Sequence, residues 1–189
     1  MKTQLIFISV LFSIFSLTSF SQSKKEAKKL GIISSTTVVT ESVDGKEKTR
    51  TDMHQKFDKN GNVTELVEYN KDGSIKKKEA HKYNKNNDVV EETVFDDKGN
   101  IKKKITTEYN TNKDKTVETT YDADGKLLDK TQHGYNAKGD RSYEIIMDDK
   151  GKMIKKSIYA YDKNGLKTEK KTTNEKGEVI SIKKYTYDY

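Results

Sequence analysis

A short motif that recurs at fixed intervals constrains this chain more than any other feature of its sequence. The motif is an aromatic residue, Asp or Asn, two variable residues and Gly, as in Phe57-Asp58-Lys59-Asn60-Gly61. Eleven copies, some degenerate at their first position, begin at residues 57, 69, 83, 95, 109, 121, 135, 147, 161, 173 and 187. Their spacings alternate between 12 and 14, which gives a 26-residue period. Such a period is typical of repeat architectures.

The residues of the motif are those of a tight turn. Asp and Asn side chains accept hydrogen bonds from the backbone of the turn that follows them. Gly adopts the positive φ that closes a type I turn with a G1 bulge. Two copies have Asn87 and Lys113 in place of this Gly, and Asn tolerates the conformation better than Lys. Each copy is therefore predicted to be a β-turn, and each interval between copies a strand.

The intervals predict an all-β fold, a repetitive antiparallel hairpin meander of about 10–12 strands. Turns this short join antiparallel neighbours. Short strands such as Val63–Tyr69 and Val89–Phe95 alternate with longer ones such as Ile75–Tyr83 and Ile101–Tyr109, and the last is Val179–Tyr187. Only 31% of the residues are hydrophobic and 35% are charged. This composition favours a single-layer twisted sheet or partial spiral over a two-sheet sandwich.

Residue parity predicts two different faces for this sheet. Side chains alternate between faces along a strand. If Phe57 lies opposite Val63 across its turn, odd-numbered residues stay on one face through every hairpin. All aromatic residues after position 21 are odd-numbered. We therefore expect one inward face of Tyr, Phe and aliphatic residues, and one face of Lys, Glu and Thr.

The N-terminus has the pattern of a secretory signal peptide, residues 1–21. Lys2 precedes an apolar stretch, Leu5–Leu17, and Ser19 and Ser21 supply small residues for cleavage before Gln22. An uncleaved anchor needs a longer apolar segment, about 20 residues. Residues 22–33 are predicted to be a Lys-rich linker or short helix, and residues 34–189 the hairpin domain, regular from about residue 57. The mature protein is expected in the periplasm, at the cell surface or in the medium, without a transmembrane segment.

The turn motif resembles the YD repeats of RHS-type proteins. The nearest matches are Tyr121-Asp122-Ala123-Asp124-Gly125 and Tyr159-Ala160-Tyr161-Asp162-Lys163-Asn164-Gly165. The resemblance covers roughly residues 57–189 and implies a strip of hairpins, which in that family sometimes forms a shell around a toxic cargo. The Arg that is common after the family's Gly is absent here. Because 189 residues are too few to close such a shell, the resemblance implies the strip and not encapsulation.

The sequence predicts a protein that is not an enzyme and has no cofactor and no metal site. His81 and His133 occupy one repeat position that also holds Thr107, Tyr159 and Tyr185, which indicates a packing position. Asp122 and Asp124 resemble half of a calcium loop, but Asx turns account for both residues. The net charge is +7, yet Lys is dispersed and Arg is scarce, which argues against nucleic-acid binding.

The best candidate for a ligand or partner surface lies among the C-terminal tyrosines. Upstream repeats form their hairpins with fewer tyrosines. Tyr combines a flat apolar ring with a polar tip that suits sugar rings or a partner's backbone. The outer edge of the last strand also offers unpaired backbone groups to an added strand. The candidate residues are Tyr143, Tyr159, Tyr161, Tyr185 and Tyr187.

Together these features predict a non-enzymatic secreted or cell-envelope repeat protein that acts as a binding or structural scaffold. Two alternatives remain open. One is an accessory or immunity-type partner of an RHS-like toxin system, which the repeat resemblance implies. The other is a protein that binds envelope polysaccharide through its aromatic face. The partner itself, a glycan or a protein, is not specified by the sequence.

Overall fold

The computed structural model describes residues 20–43 and 46–188. One helix precedes twelve strands. The elements are α1 (Phe20–Leu30), β1 (Ser34–Val43), β2 (Lys46–Phe57), β3 (Val63–Tyr69), β4 (Ile75–Tyr83), β5 (Val89–Phe95), β6 (Ile101–Tyr109), β7 (Lys115–Asp122), β8 (Leu127–Tyr135), β9 (Arg141–Asp148), β10 (Met153–Tyr161), β11 (Lys167–Asn174) and β12 (Val179–Lys184). Apart from its last residues, the predicted signal peptide lies outside the described residues.

The twelve strands form one antiparallel sheet in which every strand pairs with its neighbours in sequence. The predicted all-β meander is therefore confirmed, and β3 to β6 have the predicted bounds. The last strand is shorter than predicted, because it ends at Lys184 rather than Tyr187. Only Ala27, Phe57 and Val67 are buried apolar residues in the described part of the chain. This agrees with a single layer without a thick core.

The turns have the predicted hydrogen bonds. In the first copy Asp58 N–H donates to Asn62 O and Gly61 N–H donates to Asp58 O, while Asp58 Oδ1 accepts from the backbone of Asn60 and Asn62. In the copy that begins at Tyr121, Asp122 Oδ1 accepts in the same way from Asp124 and Lys126, which supports the Asx-turn interpretation. Asn87 and Lys113 have φ values of 64° and 68°. The motif is thus a type I turn closed by a G1 bulge.

An additional irregularity lies beside every turn from β2–β3 onward. Phe57 lies opposite Val63, but the preceding residue, Lys56, lies opposite Glu65, so Thr64 has no partner. The same one-residue shift follows the first pair of all ten hairpins from β2–β3 to β11–β12. Beyond each shift, odd residues lie opposite even ones. Because a one-residue slip moves a strand's side chains to the other face, residue parity exchanges faces at every hairpin.

The expectation of a single aromatic face is therefore wrong. Directly opposed residues of two antiparallel strands share a face. Tracing the register from β2 to β12 separates the aromatic residues into two sets. One face, which we call the cap face, carries Phe57, Tyr83, Tyr109, Tyr135, Tyr159, Tyr161, Tyr185 and Tyr187. The opposite face carries Tyr69, Phe95, Tyr121 and Tyr143.

Helix α1 packs against the first regular turn. Ala27 is buried, and a Cβ added to Gly61 would overlap the backbone of α1 at Lys24 and Lys28. The chain after the helix is tied to the sheet, because Phe57 N–H donates to Ile33 O at 3.0 Å. The helix therefore covers the turn at which the regular repeat begins. The described residues contain no helix with the length and apolar character needed to cross a membrane.

Candidate functional site

The candidate tyrosines belong to different structural classes, and one class forms caps on the sheet. Five tyrosines are spaced by 26 residues; the first four end the longer strands, and Tyr187 lies just after β12. Each donates its hydroxyl to the backbone carbonyl of the residue 20 positions earlier, at 2.7–2.9 Å. The donors are Tyr83, Tyr109, Tyr135, Tyr161 and Tyr187, and the acceptors are Val63, Val89, Lys115, Arg141 and Lys167.

These caps satisfy carbonyl groups that the ladder leaves without a partner. The β3–β4 register ends at the pair Glu65 and Ala80, so Val63 lies beyond it and its carbonyl accepts from Tyr83 instead. Burial raises the pKa of Tyr83 and of Tyr109, which keeps both phenols as donors. Tyr161 and Tyr187 perform the same role as the upstream tyrosines. The structure thus explains these two candidates as parts of the hairpin.

Tyr159 and Tyr185 have a different environment. They occupy the repeat position of His81 and His133 and lie on the cap face. The ammonium group of Lys167 lies 4.9 Å from the ring centre of Tyr159 and 5.7 Å from that of Tyr185. Lys170 lies 5.2 Å from the Tyr159 ring. We call Tyr159, Lys167, Lys170 and Tyr185 the tyrosine–lysine cluster. It places two aromatic rings and two cations on one side of the sheet.

Tyr143 does not belong to this cluster. It lies on the opposite face, directly across from Gly134 on β8 and Ile158 on β10. A Cβ added to Gly134 would overlap the Tyr143 ring, so the ring occupies the space that the glycine leaves. Tyr143, Ile158 and Ile182 are all exposed, and the pairing through Lys171 places them in one row. The proposed surface of five tyrosines is therefore divided between two faces.

The repeat position shared by the histidines, which we call the slot, differs between repeats in residue type and in burial. It contains Gln55, His81, Thr107 and His133 before the two tyrosines, and only 2% of the His133 side chain is exposed. His133 Nε2 lies 2.8 Å from Glu118 Oε2. This hydrogen bond is the largest influence on the pKa of Glu118, which falls from 4.5 to about 2 although burial opposes the change. Glu118 and His133 therefore form a tight polar contact within the sheet surface.

The other histidine has carboxylates on two sides. His81 Nε2 lies 3.7 Å from Glu79 Oε2 and 3.7 Å from Glu92 Oε2. Sequence reasoning treated this position as packing only and did not identify the two glutamates. The sequence did indicate one of these glutamates, since Glu79 lies two residues before His81 on the same predicted strand. Glu92, however, is brought opposite His81 only by the shifted register.

The cap role also had a signal in the sequence. The repeats of the cap face have Tyr at every position from 83 onward, with Phe only at position 57. The alternate copies have Tyr, Phe, Tyr, Met and Thr, and the described structure shows no hydroxyl bond from Tyr69 or Tyr121. The presence of Tyr at every second copy from position 83 onward therefore indicated that its hydroxyl has a structural role.

Comparison with known proteins identifies no family and only distant structural similarity. No family model matches the chain, and no curated protein matches it. A chain of the crystal structure of TcdB2-TccC3-Cdc42 is similar over 80% of this chain and 9% of its own length, with 11% identity and a TM-score of 0.41. A chain of the GtfA/B complex bound to UDP and GlcNAc is similar over 79% and 24%, with 12% identity and a TM-score of 0.25.

A third similar structure is that of TcdB2-TccC3 without the hypervariable C-terminal region. It covers 80% of this chain and 11% of its own length, with 14% identity and a TM-score of 0.18. The present chain therefore spans at most about a quarter of each of these proteins. Similarity at these values carries no information on activity or partners.

Proposed function

We propose that this chain is a non-enzymatic, exported hairpin scaffold that binds an envelope partner through the cap face of its C-terminal repeats. The observation that carries the proposal is the tyrosine–lysine cluster. Upstream repeats fill the same slot with Gln, Thr or His, whereas Tyr159 and Tyr185 bring aromatic rings beside Lys167. The hairpin does not require these rings, because the cap role belongs to Tyr161 and Tyr187.

The chemistry of this cluster favours an acidic polysaccharide of the envelope. Tyr rings stack against the apolar faces of sugar rings, and the ammonium group of Lys167 attracts carboxylate or phosphate substituents. Lys170 adds positive charge to the cluster, although its ammonium group also lies 3.8 Å from Glu144 Oε1. The cations lie 4.9–5.7 Å from the ring centres. One sugar unit can therefore contact a ring and a cation together.

Affinity electrophoresis through gels that contain polygalacturonate, with dextran as the neutral comparison, tests this proposal. The wild-type chain is expected to be retarded by the acidic polymer more than by dextran. The double variant Tyr159→Thr/Tyr185→Thr uses the residue already found at Thr107 and should lose this retardation. Tyr143→Thr, on the opposite face, is the matched control and should retain it. Equal retardation of wild type and double variant, with an unchanged circular dichroism spectrum, would refute the proposal.

Export is a separate part of the proposal. The residue pattern of positions 1–21 supports cleavage between Ser21 and Gln22. Mass spectrometry of the protein recovered from its native cell envelope should give a mature chain that begins at Gln22. An intact N-terminus at Met1 on the recovered protein would contradict export by this route.

The second candidate function is that of an accessory or immunity-type partner of an RHS-like toxin. It is favoured by the turn motif, of which Tyr159-Ala160-Tyr161-Asp162-Lys163-Asn164-Gly165 is one of the two nearest matches. The edge strand β12 offers a surface for strand addition by such a protein. Co-purification from the native cells should then recover a YD-repeat protein at a constant stoichiometry. Recovery of the chain alone would exclude a stable complex.

A further inference from the structure

One group of side chains on the cap face has the composition of a metal site. Glu79 and His81 are two residues apart on β4 and so point to one face, and Glu92 on β5 lies directly opposite His81. One potential ligand atom from each of the three residues lies within 4.8 Å of the other two. An imidazole and two carboxylates thus converge from adjacent strands.

The distances within this group are too long for hydrogen bonds and suit ligands around a shared ion. His81 Nε2 lies 3.7 Å from an oxygen of Glu79 and from an oxygen of Glu92, beyond the hydrogen-bond range. Tetrahedral Zn²⁺ with ligands at about 2.0–2.2 Å places neighbouring ligand atoms about 3.4 Å apart. A small closure of the three side chains would reach this geometry.

The second histidine of the slot provides an internal comparison. His133 lies two repeats after His81, and its Nε2 is engaged by Glu118 at 2.8 Å. The residue that corresponds to Glu118 beside His81 is Leu66, which cannot accept a hydrogen bond. The residue that corresponds to Glu79 beside His133 is Thr131. The His81 group therefore has an extra carboxylate on its own strand and lacks the glutamate that engages His133.

The surroundings of the group leave part of its carboxylate charge unmatched. The side chains of Glu79 and His81 are only 15% and 14% exposed. Lys77 lies 2.9 Å from Glu79 Oε1 and offsets one of the two carboxylate charges. Part-buried carboxylates are stabilised by a cation that coordinates them.

We propose that Glu79, His81 and Glu92 bind a divalent transition-metal ion such as Zn²⁺. The imidazole ligand favours Zn²⁺, Cu²⁺ or Ni²⁺ over Mg²⁺ and Ca²⁺, which prefer sites made only of oxygen ligands. Three protein ligands leave a coordination position for water or for a group from a partner. The ion would join β4 to β5 independently of the tyrosine–lysine cluster.

Isothermal titration calorimetry of the full chain, purified without a polyhistidine tag, with zinc chloride tests this site. One saturable equivalent of Zn²⁺ is expected per chain. Removal of a ligand by His81→Thr or by Glu92→Gln should weaken binding at least about tenfold. His133→Thr is the matched control, because it changes the same repeat position beside Glu118, and it should bind Zn²⁺ as the wild type does. Thermal denaturation should show a zinc-dependent rise in Tm in the wild type and the control only.

Three results would overturn the assignment. The first is absence of saturable binding to the wild-type chain at millimolar zinc. The second is unchanged binding by both ligand variants. The third is equal weakening by His133→Thr, which would place the ion elsewhere on the cap face. Circular dichroism identifies any variant that fails to fold. Glu79→Gln, which changes a part-buried ligand, then replaces that variant in the same comparison.

Discussion

At the residue scale, the cap tyrosines connect each repeat to the one before it. The hydroxyl of Tyr109 reaches the carbonyl of Val89 at 2.7 Å, although 20 residues separate them in sequence. A carbonyl that has lost its donor in a part-buried position destabilises the fold by an unmatched polar group. The hydroxyl, not only the ring, therefore contributes to the stability of the sheet.

Tyr109→Phe tests this contribution. The variant retains the ring and loses the hydrogen bond, so the free energy of unfolding should fall by about 1 kcal/mol. Tyr121→Phe is the control, because Tyr121 lies on the opposite face and the structure shows no hydrogen bond from its hydroxyl. Urea denaturation followed by circular dichroism measures both. Equal stability of Tyr109→Phe and the wild type would show that the cap contributes nothing.

A second residue-scale prediction concerns Glu118 and acid. The pKa of Glu118 is lowered to about 2 in the folded protein, first by the hydrogen bond with His133 and also by Lys115. A carboxylate with a lowered folded pKa contributes stability above its unfolded pKa, and this contribution is lost as the pH falls from about 4.5 towards 2. Glu118→Gln should therefore be less stable than wild type at pH 7, with a smaller difference at pH 2.5.

Denaturant unfolding at several pH values measures this dependence. Glu108→Gln, at an exposed position of the neighbouring strand, is the matched control and should follow the wild-type curve. If Glu118→Gln lost stability by the same amount at pH 7 and pH 2.5, ionisation of Glu118 would not be the cause.

At the element scale, the docking of α1 depends on one glycine. Gly61 has a φ of 75° and lies against the backbone of the helix, whereas Gly99 has a φ of 85° and open space around it. Substitution by Ala strains both turns, at a cost of about 1–2 kcal/mol. At Gly61 the new methyl group would also overlap Lys24 and Lys28, so the helix must move away from the turn.

Gly61→Ala should therefore release α1, whereas Gly99→Ala should not. Limited digestion with trypsin reports the difference. The side chains of Lys24, Lys25, Lys28 and Lys29 are exposed already, but the backbone beside them becomes cleavable when an 11-residue helix loses the sheet contact that keeps it folded. Faster cleavage at these sites in Gly61→Ala alone is the expected outcome. Identical digestion of the two variants would indicate that the helix does not depend on this contact.

At the scale of the whole molecule, the sheet is a sum of neighbouring contacts. Each strand pairs only with the strands before and after it, as in other repeat proteins whose stability is the sum of repeat and interface terms. The 26-residue unit contains two strands, two turns and one cap. An entire unit can therefore be removed without leaving an unmatched turn or an unpaired cap.

Deletion of residues 110–135 should give a folded ten-stranded sheet. The deletion joins Tyr109 to Asn136, so that the next turn follows Tyr109 in register and Tyr161 still caps Arg141. Deletion of residues 110–122 breaks the period and should fold poorly. Circular dichroism and the cooperativity of urea unfolding distinguish the two. Equal loss of structure in both deletions would contradict the repeat as an independent unit.

Most of the fold was predictable because turn chemistry is local. Asp58 and Gly61 act on backbone groups within five residues of each other, so the 12 and 14 spacing determined the turns, the bounds of β3 to β6 and the meander. The prediction that all aromatic residues share one face failed for a different local reason. A single unpaired residue such as Thr64 beside each turn exchanges the faces, and its presence depends on how two strands pair.

The sequence by itself therefore determined the order of strands and turns, and the tertiary structure decided which side chains meet. The shifted register places Tyr143 on the opposite face from Tyr159 and Tyr185. The hydroxyl of Tyr161 donates to a backbone carbonyl and so acts as a cap. The same register brought Glu92 opposite His81. Contacts across strands depend on a one-residue offset that residue composition does not encode, because both registers retain the same turns and the same alternation within each strand.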